Sequence, residues 1–590
     1  MTAVAWSAPL LLPALAALLA LLAGRVRAWL PVVTPLPALA LALLGPPGPA
    51  PDLSWVLLDL RLGLDPVGRV LLATTALVWL GGGAAARSTT RQRPGSAALW
   101  QATLAGNVGV VLAADVVSLY VAFAVMTFAA YGLVVHERDE QAWRAGRVYL
   151  VLAVLGEAML LSGLMLAVGA TGTTSTGELA SLVADAPRST LTVGLLTAGF
   201  AVKAGIVPLH VWLPLAHPAA PVPASAVLSG AMVKAGLVGW LAVLPIGAAG
   251  VAAPGALLLV AGLVTAAAGI ALGLTQHDPK VLLAYSTVSQ MGMIAVLVGV
   301  GLLVPAAAPV AVAGAALYAL HHGGNKAALF LGVGVHGRLA GAGARRWVLA
   351  GTALAGLALA GAPLTGGWVA KVAMKDAVDL LPTPWAGLVT LLLSLLAAGT
   401  AALLARLVLL LRRRPPAASA TEPHPDGSAA AGDDRWALTA WAGLLVAAVI
   451  GTWLTPALLD ARLRAPSFGV VSLLESLWPV TLGLGATAAA VTWRQRVIDA
   501  PRTSRIPPGD LVVLGERAAV RLRPVLAGGR RVASVGADRA RAAAQHLQAR
   551  LRPGHGVDRI DRLLTRWRVT GAVFVLLLVA LTLTLAAGAG

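Results

Sequence analysis

Apolar runs of about twenty residues recur from one end of the chain to the other, and they constrain its fold more than any other feature. The first run is WSAPLLLPALAALLALLAG at residues 6–24. A helix of that length crosses the hydrocarbon core of a bilayer, which is about 30 Å thick. With 58% hydrophobic and 12% charged residues and a mean hydropathy of +0.83, the chain also differs from soluble proteins in composition. The pattern predicts an all-α polytopic membrane protein.

Hydropathy predicts about sixteen spans, and helices rather than barrel strands because the runs are long and do not alternate between apolar and polar residues. No basic residue precedes the first run and no small-residue cleavage site follows it, so we expect a retained span and not a signal peptide. The predicted spans are residues 6–23, 30–45, 66–83, 97–114, 116–135, 148–169, 191–214, 223–246, 254–275, 280–303, 308–335, 347–375, 385–411, 436–458, 470–493 and 569–588.

Basic residues in the short loops predict the orientation. Loops after odd-numbered spans hold sixteen Lys and Arg residues, and loops after even-numbered spans hold about four. Because these residues accumulate on the cytoplasmic side, the odd loops are predicted to be cytoplasmic and the N-terminus outside. The protein is expected to be a multi-pass protein of a cell inner or plasma membrane.

Two stretches are not predicted to span. Residues 415–435, PPAASATEPHPDGSAAAGDDR, read as a polar cytoplasmic linker. Residues 494–568 carry 17 Arg against 6 Asp and Glu, and within them 508–566 read as a basic amphipathic helical arm on the cytoplasmic side. The alternative is a loop that only binds anionic lipid headgroups. The formal charge of +19 does not indicate nucleic-acid binding, because no soluble basic domain is present.

These features divide the chain into seven predicted parts. They are N-terminal transmembrane helices at 1–96, a first repeat at 97–246, a second repeat at 254–411, the linker at 412–435, additional transmembrane helices at 436–493, the basic lateral arm at 494–568 and a terminal transmembrane anchor at 569–590.

The chain has no cysteine, which excludes disulfides, thiolate zinc sites and cysteine-ligated iron–sulfur clusters. The histidine spacing predicts no metal site, and no phosphate-binding loop occurs. We therefore expect no cofactor on this chain, and any redox centre is expected in another polypeptide.

Lysine is rare and concentrated. Of 44 Lys and Arg residues only six are lysine, and all six lie between residues 203 and 375. Lys203, Lys234, Lys326 and Lys371 fall inside predicted spans, where ionisable groups are costly and indicate an ion or proton pathway. Lysine, unlike arginine, changes its protonation state readily when it is buried. The alternative for each lysine is snorkelling to an interface or a structural ion pair.

Histidines and helix breaks accompany these lysines. His210, His321 and His322 lie in the same spans, and His217 lies between the seventh and the eighth span. The segments KAGIVPLHVWLP (203–214) and GAPLTGGWVAK (361–371) interrupt the seventh and twelfth spans with Pro208 and with Pro363 and Gly366–Gly367. Paired interruptions in two repeats indicate a transport site. Their separation of five spans predicts two inverted five-helix repeats with broken helices.

These motifs resemble the antiporter-like subunits of respiratory complex I, of group 4 membrane-bound hydrogenases and of Mrp-type cation/proton antiporters. The stretch GFAVKAGIVPLHVWLPLAHPAAPVPASAVLSGAMVKAGLVGW (199–240) is similar to the family's most characteristic segment, and HHGGNKAALFLGVG (321–334) resembles its histidine-to-lysine segment. QHDPKVLLAYSTVSQMGMI (276–294) is similar to the segment that opens the second repeat, and the resemblance covers about residues 60–410. The span count and the arm look most like the largest, distal subunit.

The resemblance implies a proton relay through Lys203, Lys234, His322, Lys326 and Lys371, with His210, His217 and His321 in secondary places. Ala124 stands where the family has a fifth-span glutamate that pairs with the lysine of the seventh span. Glu157 of the next span is our candidate for that pairing. If Glu157→Gln left transport unchanged while Lys203→Ala abolished it, this hypothesis would be dropped.

The resemblance further implies a proton-translocating subunit of a redox-driven complex, of the NADH dehydrogenase or membrane-bound hydrogenase type. The expected partners are other membrane subunits contacted through the arm at 508–566, peripheral redox subunits acting indirectly, and membrane lipids. The alternatives are a Mrp-type Na⁺/H⁺ antiporter subunit, a proton-channel subunit of an inorganic-carbon uptake complex, and a non-catalytic scaffold.

Overall fold

A computed structural model of the chain describes residues 3–22, 24, 26–50, 61–89, 93–339, 341–413, 433–459, 463, 466–496 and 507–513. They fall into one compact unit, Met1–Val513, and the second unit, Leu514–Gly590, lies outside the described residues. The predicted linker at 415–432, the arm beyond residue 513 and the last span at 569–588 therefore stay predictions.

The described residues are almost entirely helical. The α-helices are α1 (Ala3–Leu22), α2 (Leu30–Val33), α3 (Leu36–Leu44), α4 (Pro66–Thr89), α5 (Pro94–Leu112), α6 (Val116–Val134), α7 (Glu140–Thr171), α8 (Thr176–Leu182), α9 (Ser189–Ala204), α10 (Trp212–Ala219), α11 (Val222–Val227), α12 (Lys234–Val243), α13 (Ala252–Leu274), α14 (Pro279–Leu303), α15 (Ala308–Arg338), α16 (Ala342–Ala360), α17 (Gly366–Val378), α18 (Trp385–Arg413), α19 (Asp433–Leu454), α20 (Pro456–Leu459) and α21 (Val470–Arg496).

Three shorter helical segments and one small ribbon complete the described part. Val26–Ala28 and Pro305–Ala307 are 3-10 turns, and Leu228–Met232 is a π-helical segment between α11 and α12. Strands β1 (Gly48–Pro49) and β2 (Gly63–Leu64) pair antiparallel, with Gly48 opposite Leu64 and Pro49 opposite Gly63.

Eleven stretches of helix within the described residues are long and apolar enough to cross a membrane. Each of the first fifteen predicted spans coincides with a helix or with a pair of helices, and the sixteenth lies outside the described residues. The predicted all-α polytopic membrane fold is confirmed. The exact number of spans and the inverted orientation of the two repeats stay predictions.

Acidic residues set the starts of three long helices. Asp115, Asp139 and Asp278 precede α6, α7 and α14, and their carboxylates accept hydrogen bonds of 2.8, 2.6 and 2.7 Å from backbone N–H groups of the first turns. Such caps satisfy donors that a helix leaves unpaired at its N-terminus. The loop aspartates therefore fix where the apolar runs become helical.

Helices α14 and α15 form the centre of the unit, and glycines let their neighbours approach closely. A Cβ atom on Gly292 of α14 would lie 2.6 Å from the carbonyl oxygen of Gly262 on α13, so no larger side chain fits. Small residues of this kind allow close packing of membrane helices. Helices α1, α7, α13 and α21, in contrast, expose large apolar side chains such as Leu22, Val151, Leu257 and Val470. Those faces suit contact with lipid.

Both predicted helix breaks are present. Helix α9 ends at Ala204 and α10 begins at Trp212, while α16 ends at Ala360 and α17 begins at Gly366. Gly205 and Gly361 follow the ends of α9 and α16 with φ of 75° and 82°, the left-handed conformation that glycine adopts without strain. Each break leaves carbonyl groups without intrahelical partners close to a buried lysine.

Candidate functional site

The described part of the chain buries Lys203, Lys234 and Lys326 almost completely, with exposures of 4%, 3% and 0%. Lys371 lies in α17 and borders a cavity. A buried ammonium group is costly unless oxygen atoms surround it. The partners of each lysine therefore define the site.

Lys203 lies in the last turn of α9, next to the first break. Its Nζ donates a hydrogen bond of 3.1 Å to the Tyr149 hydroxyl, and the Tyr149 hydroxyl in turn donates to the carbonyl oxygen of Thr127 at 2.7 Å. The ring centroids of Tyr149 and Trp212 lie 5.4 and 5.9 Å from Nζ, within cation–π range. Lys203 is thus held by aromatic groups and not by a direct ion pair.

Glu157 of α7 borders the same small cavity as Lys203, Tyr149 and Thr127. The cavity measures about 20 Å³, which is room for a water molecule. The Glu157 carboxylate has the Thr127 hydroxyl as a hydrogen-bonding neighbour, outside ideal geometry, and Lys203 as its charged neighbour. Its remaining acceptor capacity faces the small cavity. The structure therefore places Glu157 where it can exchange a proton with Lys203 through one water.

Lys234 begins α12, directly after the π-helical segment. Its Nζ donates to the carbonyl oxygen of Ser229 at 2.5 Å, and the Ser229 hydroxyl is 2.7 Å from the Thr287 hydroxyl on α14. A π-helical turn displaces carbonyl groups from their usual partners, and such turns are frequent at functional sites. The sequence analysis did not predict this third irregularity, because an SG pair inside an apolar run does not distinguish a π turn from an ordinary α turn.

Lys326 of α15 lies opposite Lys234. Its Nζ donates to the carbonyl oxygen of Leu283 on α14 at 3.2 Å, and Lys234 is its charged neighbour. His322, one turn earlier on α15, has Lys234, Lys326 and His321 as charged neighbours. Neither ring nitrogen of His322 has a hydrogen-bond partner among the described residues. The imidazole is therefore free to accept a proton or a water between the two lysines.

His217 and Lys280 extend this group toward one end of the unit. The His217 ring stacks on Phe330 of α15 with centroids 4.5 Å apart, and Lys280 and Lys326 are its charged neighbours. Lys280 Nζ donates to the carbonyl oxygens of Pro218 and Ala220 at 3.1 and 2.6 Å. Lysine caps the end of α10 there, as cations do at helix C-termini. His217 of α10 thus packs against α15 and does not line the break.

His321 points toward the second break, away from the central pair. Its charged neighbour is Lys371, and Asn325 binds it with Nδ2 at 3.2 Å from the ring Nδ1 and 2.8 Å from its carbonyl oxygen. A Cβ atom on Gly367 would lie 3.1 Å from His321 Nε2. Adjacent histidines on one helix therefore face different partners, as their sequence positions predict.

The side chain of Lys371 reaches across the second break. Its Nζ donates to the carbonyl oxygen of Ala360, the last residue of α16, at 2.6 Å. The lysine borders a cavity of about 370 Å³ between α16, α17, α18 and α21, whose polar wall includes Thr390, Ser394 and Ser476. That volume holds many water molecules. One turn further along α17, Lys375 forms an ion pair of 2.8 Å with Glu475 at the surface.

Asp510 was not a sequence-based candidate, yet it lies at the first break. His210 in the break places Nε2 3.0 Å from Asp510 Oδ2, and the Tyr285 hydroxyl of α14 donates to the same oxygen at 3.0 Å. Burial raises the pKa of the Asp510 carboxyl, but hydrogen bonds from His210, from the backbone N–H of Leu511 and from Tyr285, together with the charge of His210, outweigh it and hold the pKa below its usual value. The sequence did contain a signal for this site: an aspartate directly after the turn sequence PPG, in an otherwise basic stretch.

The predicted site residues thus form two groups. Lys203 and Glu157 share one cavity, and Lys234, His322, Lys326, His321 and Lys371 follow one another as charged neighbours across α12, α15 and α17. Tyr149, Thr127 and Tyr285 were missed, because neutral hydroxyl groups give no signal in an apolar sequence. Within the described ranges, no group of three or more His, Asp or Glu side chains is arranged to hold a metal ion.

Comparison with known families identifies the membrane core. Residues 113–397 match the family described as NADH:quinone oxidoreductase/Mrp antiporter, transmembrane region. The matched range contains both breaks and all the intramembrane lysines.

Curated relatives come from several complexes. Hydrogenase-4 component B of Escherichia coli (strain K12) is 29% identical over 222 residues, which are 36% of this chain and 33% of the relative. NADH-quinone oxidoreductase subunit N of Maricaulis maris is 34% identical over 191 residues, 32% of this chain and 40% of the relative. A probable K⁺/H⁺ antiporter subunit of Rhizobium meliloti is 38% identical over 136 residues, which are 22% of this chain and 25% of the relative. The chain thus spans between a quarter and two fifths of these relatives.

Solved structures share the fold over more of the chain. The Mrp complex of Dietzia sp. DQ12-45-1b superposes with a TM-score of 0.70 at 26% identity, covering 97% of this chain and 62% of that one. The archaeal membrane-bound sulfane sulfur reductase superposes with a TM-score of 0.64 at 20% identity, covering 82% of this chain and 99% of that one. This similarity supports the fold alone. The resemblance predicted from the motifs is therefore confirmed: residues 113–397 match the NADH:quinone oxidoreductase/Mrp antiporter family, and the chain is similar to antiporter-like subunits of hydrogenases, NADH:quinone oxidoreductases and Mrp complexes.

Proposed function

We propose that the chain is a proton-translocating subunit of a redox-driven multisubunit membrane complex. The observation that carries the proposal is the row of ionisable groups from Lys234 through His322 and Lys326 to Lys371, inside the membrane-spanning part of the fold. Ionisable groups at such depth are retained where ions or protons pass.

The first step takes place at Lys203 and Glu157. Both groups border the cavity of about 20 Å³, and neither has a direct ion pair with the other. A proton on Lys203 can pass to Glu157 through one water and back again, and each group changes the charge that the other one senses. Glu157 thereby fills the role that Ala124 cannot fill.

The second step moves the proton through the centre. Helix α12, which begins with Lys234, packs on α9, which ends one residue after Lys203. Water between these helices is needed to join the two groups. Beyond it, His322 accepts the proton from Lys234 and passes it to Lys326 on the same face of α15, since residues four apart on a helix are neighbours.

The third step delivers the proton to the outlet. His321 connects the centre with Lys371, and the cavity of about 370 Å³ next to Lys371 provides the water into which the proton leaves. A neutral Lys371 is then ready for the next proton. The amine keeps its hydrogen bond to the α16 carbonyl in both protonation states, because it retains at least two N–H donors.

Redox partners supply the driving force in this proposal. Relatives named hydrogenase-4 component B and NADH-quinone oxidoreductase subunit N support it. The expected partners are other membrane subunits, contacted through the predicted arm at 508–566, peripheral redox subunits and lipids. The chain itself needs no cofactor for the relay, because lysine, histidine and glutamate carry each step.

A Mrp-type antiporter subunit is the second candidate function. Its specific support is the superposition on the Mrp complex over 97% of this chain and the similarity to the K⁺/H⁺ antiporter protein of Rhizobium meliloti. Na⁺ or K⁺ would then move in exchange for protons, and the chain would have no redox partners.

The proposed location is a cell inner or plasma membrane, with the N-terminus outside and the arm cytoplasmic. The absence of cysteine makes this testable. A single cysteine at Arg412 should react with a membrane-impermeant maleimide only in inverted vesicles, and one at Arg188 only in right-side-out cells. The reverse pattern would overturn the orientation.

One purification distinguishes the candidate functions. The tagged full-length chain is extracted from its native host in mild detergent, and co-purifying subunits are identified by mass spectrometry. Flavin, iron–sulfur or nickel–iron subunits would support the redox complex. Small membrane subunits alone would favour the Mrp-type antiporter, and a soluble zinc protein would favour carbon uptake. In all cases Lys234→Ala should abolish proton transport in vesicles, and an unchanged rate would favour the scaffold alternative.

A further inference from the structure

The buried carboxylate of Asp510 is the starting point. Asp510 is 5% exposed although it lies in the stretch 494–568, which has 17 Arg and 6 acidic residues. Its described partners are not arginines but His210 and Tyr285, whose hydrogen bonds converge on Oδ2. The other oxygen, Oδ1, accepts from the backbone N–H of Leu511. A carboxylate is buried at acceptable cost only when donors surround it in this way.

The turn that carries Asp510 packs closely against α10. Gly509 has a φ of 84°, which other residues rarely adopt. A Cβ atom there would also lie 2.9 Å from Leu215 of α10. Residues 507–513 therefore press against the half-helix that follows the first break. The contact joins the residues that follow α21 to both repeats, because His210 belongs to the first repeat and Tyr285 to the second.

The hydrogen bonds also give the two nitrogens of His210 different roles. Nε2 faces Asp510, and Nδ1 is buried without a partner among the described residues. A carboxylate that accepts from one imidazole nitrogen fixes the tautomer and leaves the other nitrogen to accept a proton. When Nδ1 takes up a proton, the ring becomes an imidazolium whose charge is balanced by Asp510, and release of that proton restores the neutral ring.

We propose that Asp510 is a positioning residue of the transport pathway, which orients His210 in the first break so that Nδ1 is the atom that exchanges protons. The same contact anchors the first residues of the arm to the break. The inference rests on the proposed function, since it adds a residue to that pathway. It differs from the relay derived above, in which neither His210 nor the segment after α21 has a part.

The test is proton transport by the purified complex in proteoliposomes, driven by an imposed membrane potential. Asp510→Asn keeps the size of the side chain and one acceptor oxygen, which can face His210 and Tyr285, but it removes the charge and the acceptor for the Leu511 N–H. Most of a merely structural contact would survive this change. We expect about a tenfold lower rate, which is smaller than the roughly 10²–10⁴-fold effect of a direct acid–base group because Asp510 acts through His210, with the subunit composition unchanged. Asp185→Asn, an exposed aspartate in the loop after α8, is the matched control and should transport like wild type.

Two further variants keep the test decisive. His210→Gln retains an N–H donor for Asp510 but cannot take up a proton. Its proton transport rate should fall about as much as that of Asp510→Asn. The double variant should be no worse than either single variant, because residues that act as a unit are not additive. Rates within twofold of wild type for both single variants would overturn the proposal.

Lys234→Ala distinguishes a failure of the Asp510 proposal from a failure of the proposed relay. If Lys234→Ala abolishes transport while Asp510→Asn and His210→Gln do not change it, only the role of Asp510 fails. If Lys234→Ala also leaves transport unchanged, the proposed relay itself fails. Should Asp510→Asn prevent assembly of the complex, His210→Gln decides alone.

Discussion

The break at 205–211 and the break at 361–365 each place a lysine beside the end of a half-helix, but the cavities next to the two lysines differ in size. Lys203 is surrounded by Tyr149, Trp212 and the cavity of about 20 Å³. Lys371 borders a cavity of about 370 Å³ that α18 and α21 help to form. The same local device thus lies beside cavities of very different size. The first has room for about one water molecule and the second for many.

The difference arises from the surroundings and not from the breaks. Both half-helices end with glycine in a left-handed conformation, at Gly205 and Gly361. Residues of α6, α7, α9 and α10 line the small cavity beside Lys203, whereas residues of α16, α17, α18 and α21 line the larger one beside Lys371. The two sites therefore differ because different helices surround each break.

The largest expected effect is loss of transport from removing either lysine. Lys203→Ala and Lys371→Ala should each lower proton transport by about a hundredfold, within the range for removal of an acid–base group. Lys375→Ala, one turn from Lys371 on α17, borders the same cavity but is 41% exposed and paired with Glu475, so it should lower the rate far less than Lys371→Ala, because surface ion pairs contribute only about 0–1 kcal/mol. Transport by proteoliposomes checks this, and an active Lys371→Ala variant would remove the second break from the path.

Reagent access should differ by about tenfold or more between the two sites, because the first cavity has room for about one water and the second for many. The cysteine-free chain allows a single cysteine at Ala153, beside the first cavity, or at Ser476, beside the second. We expect a small polar thiol reagent to modify the cysteine at 476 much faster, as followed by mass spectrometry. Equal rates at both positions would show that the first cavity is as open as the second.

A smaller effect is expected at the carboxyl group of the first cavity. Glu157→Gln should lower transport by about five- to tenfold, because the amide keeps the volume but cannot exchange a proton. No such change is expected for Glu178→Gln, whose side chain is exposed on α8. Rates are compared in the same proteoliposomes. If Glu157→Gln transports normally while Lys203→Ala does not, Glu157 has no part in the relay.

The smallest effect is expected at Tyr149. Tyr149→Phe removes the hydroxyl that accepts from Lys203 Nζ and donates to the Thr127 carbonyl, but it keeps the edge-to-face contact with Trp212, whose ring centroid lies 5.2 Å away. A typical intramolecular hydrogen bond contributes about 0.5–1.5 kcal/mol, so transport should fall about two- to tenfold. Tyr131→Phe on α6 serves as control. A complete loss in Tyr149→Phe would mean that the hydroxyl itself carries protons.

The sequence predicted the spans, both breaks and the positions of the lysines and histidines, because apolar length, proline and intramembrane charge are local signals. It did not predict the π-helical segment before Lys234, which depends on packing against Thr287 of α14. Nor did it predict the contact of His210 with Asp510, since the two residues are 300 positions apart. Neutral hydroxyl partners such as Tyr149 and the large cavity at Lys371 also arise only when helices assemble.

The central claim is that the ionisable groups of α12, α15 and α17 carry protons through the centre of the unit, and Lys326 lies among them. Lys326→Met keeps the length and apolar stem of the side chain but removes the exchangeable proton. The measurement is proton transport by the complex with this substitution, in proteoliposomes under an imposed membrane potential. We predict a rate reduced by about a hundredfold or more, with the subunit composition intact. A wild-type rate in that variant would contradict the relay.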